Sequence, residues 1–515
     1  MAARRSASRG VRWAEGALLA AVLILAAGLR LYRLGQGLPY LLHPDEAFYQ
    51  QIVQRMLQTG DPNPHLLTYP SFFFYAQAAL SLLQVAAGRL LGVLTSVHDL
   101  PAPVTLAMGV GYTAMPSSIL LARLLSVAAG LALVAVSPTA VQNCRSMTAD
   151  PLGIFWLALS VWAAVGIVRR GAWRDYMLAA VSAGLAASSK YNLALGVVAL
   201  GLAHLLRHGW RGLGNARIYV AALVTAVAFF AATPYALLDW QVFVEGVGYQ
   251  ARHYSTGHSG LEGEAARWYL AYLWQTHGLA MLLAAAEALR ALVARDRPML
   301  LVAGFSLFYL VFVSLFTVRN PWTIMPMIPF ALVLAASGGR ALLNWLEERG
   351  GATRWRAVLS VVVAAALLAA PAAQTLRTIA DIPAVDSRVL AAHWIADNLP
   401  PGARIAVESY SAFADPAVYQ VQGFVQFNVH PPEWYVEQGY AYLVFGKGMY
   451  GRYYADPRRY AAEVAQYDAL FAAFELLQAF PGGDYDVRIY GTGASVESPD
   501  AGVGSVIDRP GKQAG

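Results

Sequence analysis

The sequence predicts a polytopic α-helical membrane protein, with about 11 transmembrane helices followed by a small C-terminal extracytoplasmic α/β domain. Three observations predict it. The 515 residues are 57% hydrophobic and 13% charged, about half the ~25% charge of a soluble domain. Mean hydropathy is +0.46. Apolar runs recur along the first three quarters of the chain and then stop near Asp386. Together these exclude a soluble enzyme, a disordered chain and a nucleic-acid binder. The basic pI of about 9.2 reflects arginines scattered between apolar runs, which is a membrane-orientation signal. The single cysteine, Cys144, excludes a disulfide framework, a redox pair and a cysteine-based zinc site.

The elements follow in order. Arg4, Arg5, Arg9 and Arg12 precede an apolar run at 14–34. That run is long enough to cross a ~30 Å hydrocarbon core, and no small-residue cleavage site follows it. It reads as an uncleaved first span with a cytoplasmic N-terminus. Further runs lie at 71–93, 118–138, 152–168, 176–189, 192–206, 217–237, 268–293, 298–316, 323–345 and 357–374. Arginine-rich loops near 170, 211, 296 and 349 fall on the cytoplasmic side of this count, and 35–70, 139–151, 238–267 and the tail fall outside. The runs 176–189 and 192–206 are short, and Ser188–Asn192 reads as the turn between them. Residues 1–385 therefore form the membrane domain and 386–491 the α/β domain. Within the latter, Val389–Asn398 and 457–477 read as helical, and Arg404–Tyr410, Ala441–Phe445 and Asp486–Tyr490 as strands. The Gly/Ser/Pro-rich stretch 492–515 reads as disordered.

Chemistry concentrates in the first outer loop, which holds His43-Pro44-Asp45-Glu46, then Asp61-Pro62-Asn63-Pro64-His65, then Tyr69-Pro70-Ser71. Asp45 is expected to cap a short helix over 46–58. A capping carboxylate beside a second one can also take a proton or bind a divalent metal, so metal dependence stays open. Later outer segments add Asp150, Lys190, Arg252, His253 and Arg319. Charges at membrane depth are costly and usually have a partner or a task. Cations at that level suit a lipid-linked phosphate. Asp484-Tyr485-Asp486 matches a D-x-D pattern, but its place in an outer tail argues against a nucleotide sugar. No phosphate-binding loop of the nucleotide-hydrolase type occurs.

These motifs resemble the GT-C fold membrane glycosyltransferases, of the glycosyltransferase family 39 or protein O-mannosyltransferase kind, and are similar to the aminoarabinose transferases. The matching residues are His43–Glu46, Asn63-Pro64-His65 through Tyr69-Pro70-Ser71, Ala122-Arg123-Leu124, Asp150, Gly184-Leu185-Ala186 through Lys190-Tyr191, and Arg319 with Pro326 and Pro329. Ala392–Gly402 and Tyr442–Tyr450 match in the tail. The resemblance implies a GT-C-like fold in the plasma (inner) membrane. It implies transfer of a sugar, with inversion, from a polyprenyl-phosphate donor to a glycan, lipid or protein acceptor at the extracytoplasmic face. It implies Asp45 as the base, with Glu46 supporting it. Lys190 and Arg319 would hold the donor phosphate and Asp150 would position a sugar or a cation. His43, His65, Tyr69, Arg252 and His253 complete the substrate-binding set. Two departures stand out. Only 26 residues lie between Arg123 and Asp150, too few for the two full crossings the resemblance implies. Arg319-Asn320 replaces the Arg-Tyr of many relatives. The competing readings are a transporter or flippase for a lipid-linked substrate, and an inactive GT-C relative.

Overall fold

A computed structural model describes residues 2–131, 137–257, 259–350 and 356–494. It divides into two compact units. One comprises residues 1–105 and 111–385; the other comprises residues 106–110 and 386 onward.

The first unit is helical. Among the described residues, four helices are long and apolar enough to cross a membrane: Asp150–Arg170, Arg297–Ser314, Pro321–Leu346 and Val358–Ala380. A fifth crossing is available if the bent pair Ala265–His277 and Leu279–Ala294 counts as one. Gly16–Leu31, Pro116–Leu131 and Ala216–Ala232 are shorter apolar helices. Length and composition thus single out fewer crossings than the eleven apolar runs, because several runs are broken. The run 268–293 turns through 112° at Gly278, whose φ of +52° is a left-handed conformation that glycine adopts without steric cost. The run 192–206 begins as a tight 3₁₀ turn, Tyr191–Leu195, and becomes α-helical only from Gly196 to His208. Between Arg123 and Asp150 the chain forms the helix Pro116–Leu131 and the six-residue helix Pro138–Asn143. The second leg is therefore far shorter than a crossing.

The centre of this unit is the antiparallel hairpin of Asp150–Arg170 and Trp173–Ser189. Its facing residues are small: Ala163, Ala164, Ala179, Ala180, Ala183 and Ala186 are all buried. Small side chains let helix backbones approach closely, which is how helices gain packing energy where no hydrophobic force separates them from lipid. Gly184 shows the limit, since a Cβ there would lie 2.6 Å from the Thr225 carbonyl on helix Ala216–Ala232. Long side chains such as Leu307 and Val361 are exposed, the reverse of a soluble protein.

The second unit carries a five-stranded sheet in the spatial order Gln420–Phe424, Arg404–Glu408, Tyr442–Gly446, Val487–Gly491, Glu475–Phe480. The first three strands are parallel and the last two pair antiparallel. Helix Ser387–Asn398 is capped by Asp386, whose carboxylate accepts from the Arg388 amide at 3.0 Å. The core is aromatic, with Phe427, Tyr435, Phe445, Tyr453 and Tyr467 buried together. Two expectations are corrected. The helix expected over 457–477 runs only from Ala461 to Ala473, and Leu476 and Leu477 belong to the edge strand Glu475–Phe480. The strand expected over Arg404–Tyr410 stops at Glu408, and Tyr410 takes a φ of +62°. Most of the segment 492–515 lies outside the described residues.

Glu408 is fully buried in this sheet. Its Oε1 accepts from the Phe427 amide at 2.9 Å and the Tyr467 hydroxyl at 2.5 Å, and Oε2 accepts from the Gly446 amide at 3.1 Å. Burial pushes its pKa from 4.5 up to about 8, although all three hydrogen bonds pull the other way. Between those two values the folded state holds a proton that the unfolded state has released. Stability of this unit therefore falls as pH rises from about 4.5 to about 8, and levels off above. Hydrogen exchange of the central-strand amides in the full chain, corrected for intrinsic rates, checks this. Glu408→Gln is expected to flatten the slope.

Candidate functional site

Helix Pro44–Thr59 carries the first-loop carboxylates. Its cap is His43, whose Nδ1 accepts from the Asp45 amide at 3.2 Å. This corrects the expectation that Asp45 is the cap. Proline at the first helical position fixes the entry. Asp45 and Glu46 then occupy the first turn, at the positive end of the helix dipole, but they face different ways. Asp45 is half-buried. Glu46 is fully buried and its oxygens are occupied. Oε1 accepts from Arg123 Nε at 2.7 Å and from the Met147 amide at 2.9 Å, and Oε2 accepts from Arg123 Nη2 at 2.7 Å. Burial raises the Glu46 pKa, but the Arg123 guanidinium more than offsets it and holds the carboxyl below its ordinary value. Arg123 also donates to the Leu34 carbonyl at 2.5 Å and to that of Gln36 at 3.2 Å. Glu46 is thereby held between Arg123 and the Met147 amide and does not line the cavity beside Lys190. It ties the end of the first helix, the Asp45 helix and the approach to Asp150 at one point.

Asp150 opens helix Asp150–Arg170, and Lys190 ends helix Trp173–Ser189 with extended backbone at φ −156° and ψ 129°. The two ends of the hairpin meet, with Lys190 Nζ 2.7 Å from Asp150 Oδ1. Burial disfavours the Lys190 ammonium, yet the Asp150 carboxylate outweighs it and the net pKa shift is upward. Lys190 is thus a charged cation with little solvent around it.

A cavity of about 260 Å³ opens beside Lys190. Tyr69, Asn192, Gln250 and Tyr254 supply polar groups, and Val247, Phe312, Val313 and Phe316 form an apolar wall. The loop edge of the cavity is held firmly. Tyr191 donates to the Leu67 carbonyl at 2.8 Å and Gln250 to that of Thr68 at 3.0 Å. A Cβ on Gly246 would lie 2.2 Å from the Leu67 oxygen, so helix Trp240–Thr256 lies directly on this loop.

Asp45 does not line the cavity, but its field reaches it. The Tyr69 hydroxyl has its pKa pushed up first by the Asp45 charge and then by burial, while Lys190 pulls it back. Tyr49, one helical turn beyond Asp45, is pushed up by burial, then by Asp45, Tyr69 and Asp150. Its ring packs edge-on against Tyr69 at 5.3 Å, Phe73 at 5.4 Å and Phe74 at 5.6 Å. Asp45, Tyr69, Asp150 and Lys190 therefore share one electrostatic neighbourhood. Tyr49 was not singled out from sequence, although its i, i+4 spacing from Asp45 was the available signal.

The remaining expected residues lie elsewhere. His65, at φ +50°, pairs with Asp61 at 2.6 Å on an exposed turn. Arg252 is exposed, and His253 stacks on Tyr249 of its own helix at 6.0 Å. Their neighbours Ala251 and Tyr254, not they, face the cavity. Arg319 is half-buried beside Gly263, whose Cβ would lie 2.8 Å from its guanidinium carbon. Arg319 forms no ion pair among the described residues and lines no part of this cavity. Among the described residues no three of His, Cys, Asp and Glu gather as metal ligands.

Residues 114–235 match the family described as dolichyl-phosphate-mannose-protein mannosyltransferase. That stretch includes Arg123, Asp150 and Lys190. The whole chain aligns with the crystal structure of ArnT from Cupriavidus metallidurans bound to undecaprenyl phosphate. The TM-score is 0.50 at 16% identity, over 94% of this chain and 99% of that one. The apo form of the same protein aligns at 0.50 and 15%, over 95% and 100%. The chain has a GT-C membrane fold. The resemblance read from the motifs holds at the level of fold. A comparison with curated proteins finds no match.

The Glu46–Arg123 pair generates a stability prediction. Removing one partner of a buried ion pair costs about 3–5 kcal/mol, because the other is left uncompensated. Glu46→Gln is expected to lower the melting temperature of the detergent-solubilised protein markedly. The double variant Glu46→Leu/Arg123→Met is expected to recover most of that loss.

Proposed function

We propose that this GT-C protein, with about eleven crossings and its α/β domain outside, is a glycosyltransferase of the plasma (inner) membrane. In this reading it moves a sugar from a polyprenyl-phosphate donor to an acceptor hydroxyl at the extracytoplasmic face, with inversion. One observation carries the reading: a desolvated, charged lysine stands in a cavity that is apolar on its far wall and subject to a carboxylate field on its near side. Lys190 suits a phosphate, the Val247–Phe312–Phe316 wall suits an isoprenoid, and Asp45 suits a base. The undecaprenyl phosphate in the ArnT structure supports the same donor class.

The chemistry needs few groups. Asp45 accepts the proton of the acceptor hydroxyl, and the oxygen attacks the anomeric carbon from the face opposite the phosphate. The carbon–oxygen bond to phosphate breaks and its electron pair leaves with the polyprenyl phosphate. Negative charge on that phosphate is met by Lys190, so the leaving group needs no general acid. Asp150 keeps Lys190 protonated and in place before the donor arrives. Tyr69, which lines the cavity and feels both charges, would orient the acceptor or a phosphate oxygen. The acceptor is a glycan, a lipid or a protein.

Proteoliposomes loaded with a radiolabelled polyprenyl-phosphate sugar test this. Asp45→Asn is expected to reduce transfer by about 10²–10⁴-fold, the usual contribution of a positioned base, with assembly unchanged. Lys190→Met is expected to lower kcat as well as raise the donor KM, because the charge it meets grows as the phosphate leaves. Lipid flux without a new glycosidic bond would replace this reading with that of a flippase.

A further inference from the structure

The hairpin that carries Asp150 and Lys190 at one end has a second charged end. Helix Asp150–Arg170 has 21 residues, about 30 Å at 1.5 Å per residue, which is the thickness of a hydrocarbon core. Its far end therefore meets the opposite leaflet from the cavity. There Arg170 clasps Asp175 with bonds of 2.6 and 3.1 Å, and Arg174 approaches the same carboxylate at 4.0 Å. Arg207 donates to the Arg169 carbonyl at 3.1 Å, and Arg217 to that of Gly171 at 2.8 Å. Two arginines thus share one carboxylate and two more hold the neighbouring turn by its carbonyls, and Arg169 and Arg211 add exposed charge beside them. Asp175 is the only acidic residue from 151 to 238.

That excess of positive charge has no protein counterpart in this segment. The same end bears exposed aromatics. Trp173 lies under the Arg217 guanidinium at 5.5 Å, and Trp210 and Tyr219 project outward with 79% and 60% of their surface exposed. Aromatic rings of this kind settle at the headgroup level of a bilayer, which puts the arginines at phosphate depth. We propose that this end of the hairpin is a binding site for the headgroup of an anionic phospholipid in the leaflet opposite the cavity. Arg169, Arg174 and Arg211 would contact the phosphate, and Trp173 and Trp210 would flank the glycerol. The proposal rests on charge complementarity and on the membrane fold, and is independent of the transferase reading.

Native mass spectrometry of the full chain in neutral detergent, titrated with phosphatidylglycerol or phosphatidylcholine, tests it. Phosphatidylglycerol is expected to bind at least ten-fold more tightly. One arginine near an anionic surface changes lipid affinity about five-fold, so Arg174→Gln is expected to weaken phosphatidylglycerol by that factor. Its side chain is 76% exposed, so it leaves the fold intact. The triple variant Arg169→Gln/Arg174→Gln/Arg211→Gln is expected to lose on the order of a hundred-fold. Equal affinity for the two lipids, or unchanged phosphatidylglycerol binding in both variants, overturns the proposal. So does displacement of the lipid by millimolar inorganic phosphate, which would make the site one for a free anion.

Discussion

The contact between Lys190 and Asp150 is the constraint on which the rest of the site depends. It closes the open end of a helical hairpin, and it does so with little solvent around either group. A buried ion pair gains little net stability, because desolvation consumes most of the Coulomb attraction. Its worth here lies elsewhere. The carboxylate keeps the ammonium charged where burial alone would favour the neutral amine. A cation maintained in that way can take on a second anionic group while Asp150 stays beside it, so that neither charge is left alone in an apolar setting. In the proposed reading that second group is the donor phosphate.

Around this pair the first loop is arranged by two separate devices. One is the guanidinium clamp of Arg123 on Glu46, which fixes the helix that presents Asp45. The other is the aromatic cluster of Tyr49, Tyr69, Phe73 and Phe74, which packs with Ala149 and Leu152 at the start of the hairpin. In such a setting the fields of Asp45 and Lys190 are weakly screened, and both register on the single hydroxyl of Tyr69. In the proposed reading, a carboxylate and a cation that both act on one hydroxyl would suit the movement of charge from an acceptor oxygen to a phosphate.

Much of this was legible in the residues. The apolar runs gave the helical class, and the charges that interrupt them included Asp150 and Lys190, which the fold brings together as an ion pair. Direction was not legible. Asp45 and Glu46 are neighbours in sequence, yet a helix turns by about 100° per residue, so one faces the loop and the other the core. Which of the two meets an arginine 77 residues away depends on tertiary packing. Arg252 and Arg319 illustrate the same limit: their depth was readable and their orientation was not. His65 has a local partner, Asp61, four residues before it, which the spacing alone did not reveal. In the tail, the strand Gln420–Phe424 was not singled out, since its polar–apolar alternation spans only Gln420–Gln422 before Gly423 interrupts it; it pairs in parallel with Arg404–Glu408. The sharp bend at Gly278 was hidden inside an uninterrupted apolar run.

The close seat of Gly246 on the Leu67 carbonyl has a mechanical consequence. No methyl group fits between helix Trp240–Thr256 and the loop that bears Tyr69, and Gln250 bonds the same loop one turn further on. Loop and helix are therefore coupled as one slab. Any shift of that helix displaces the Leu67–Thr68 backbone as well, so the helix wall of the cavity and its loop edge do not change separately.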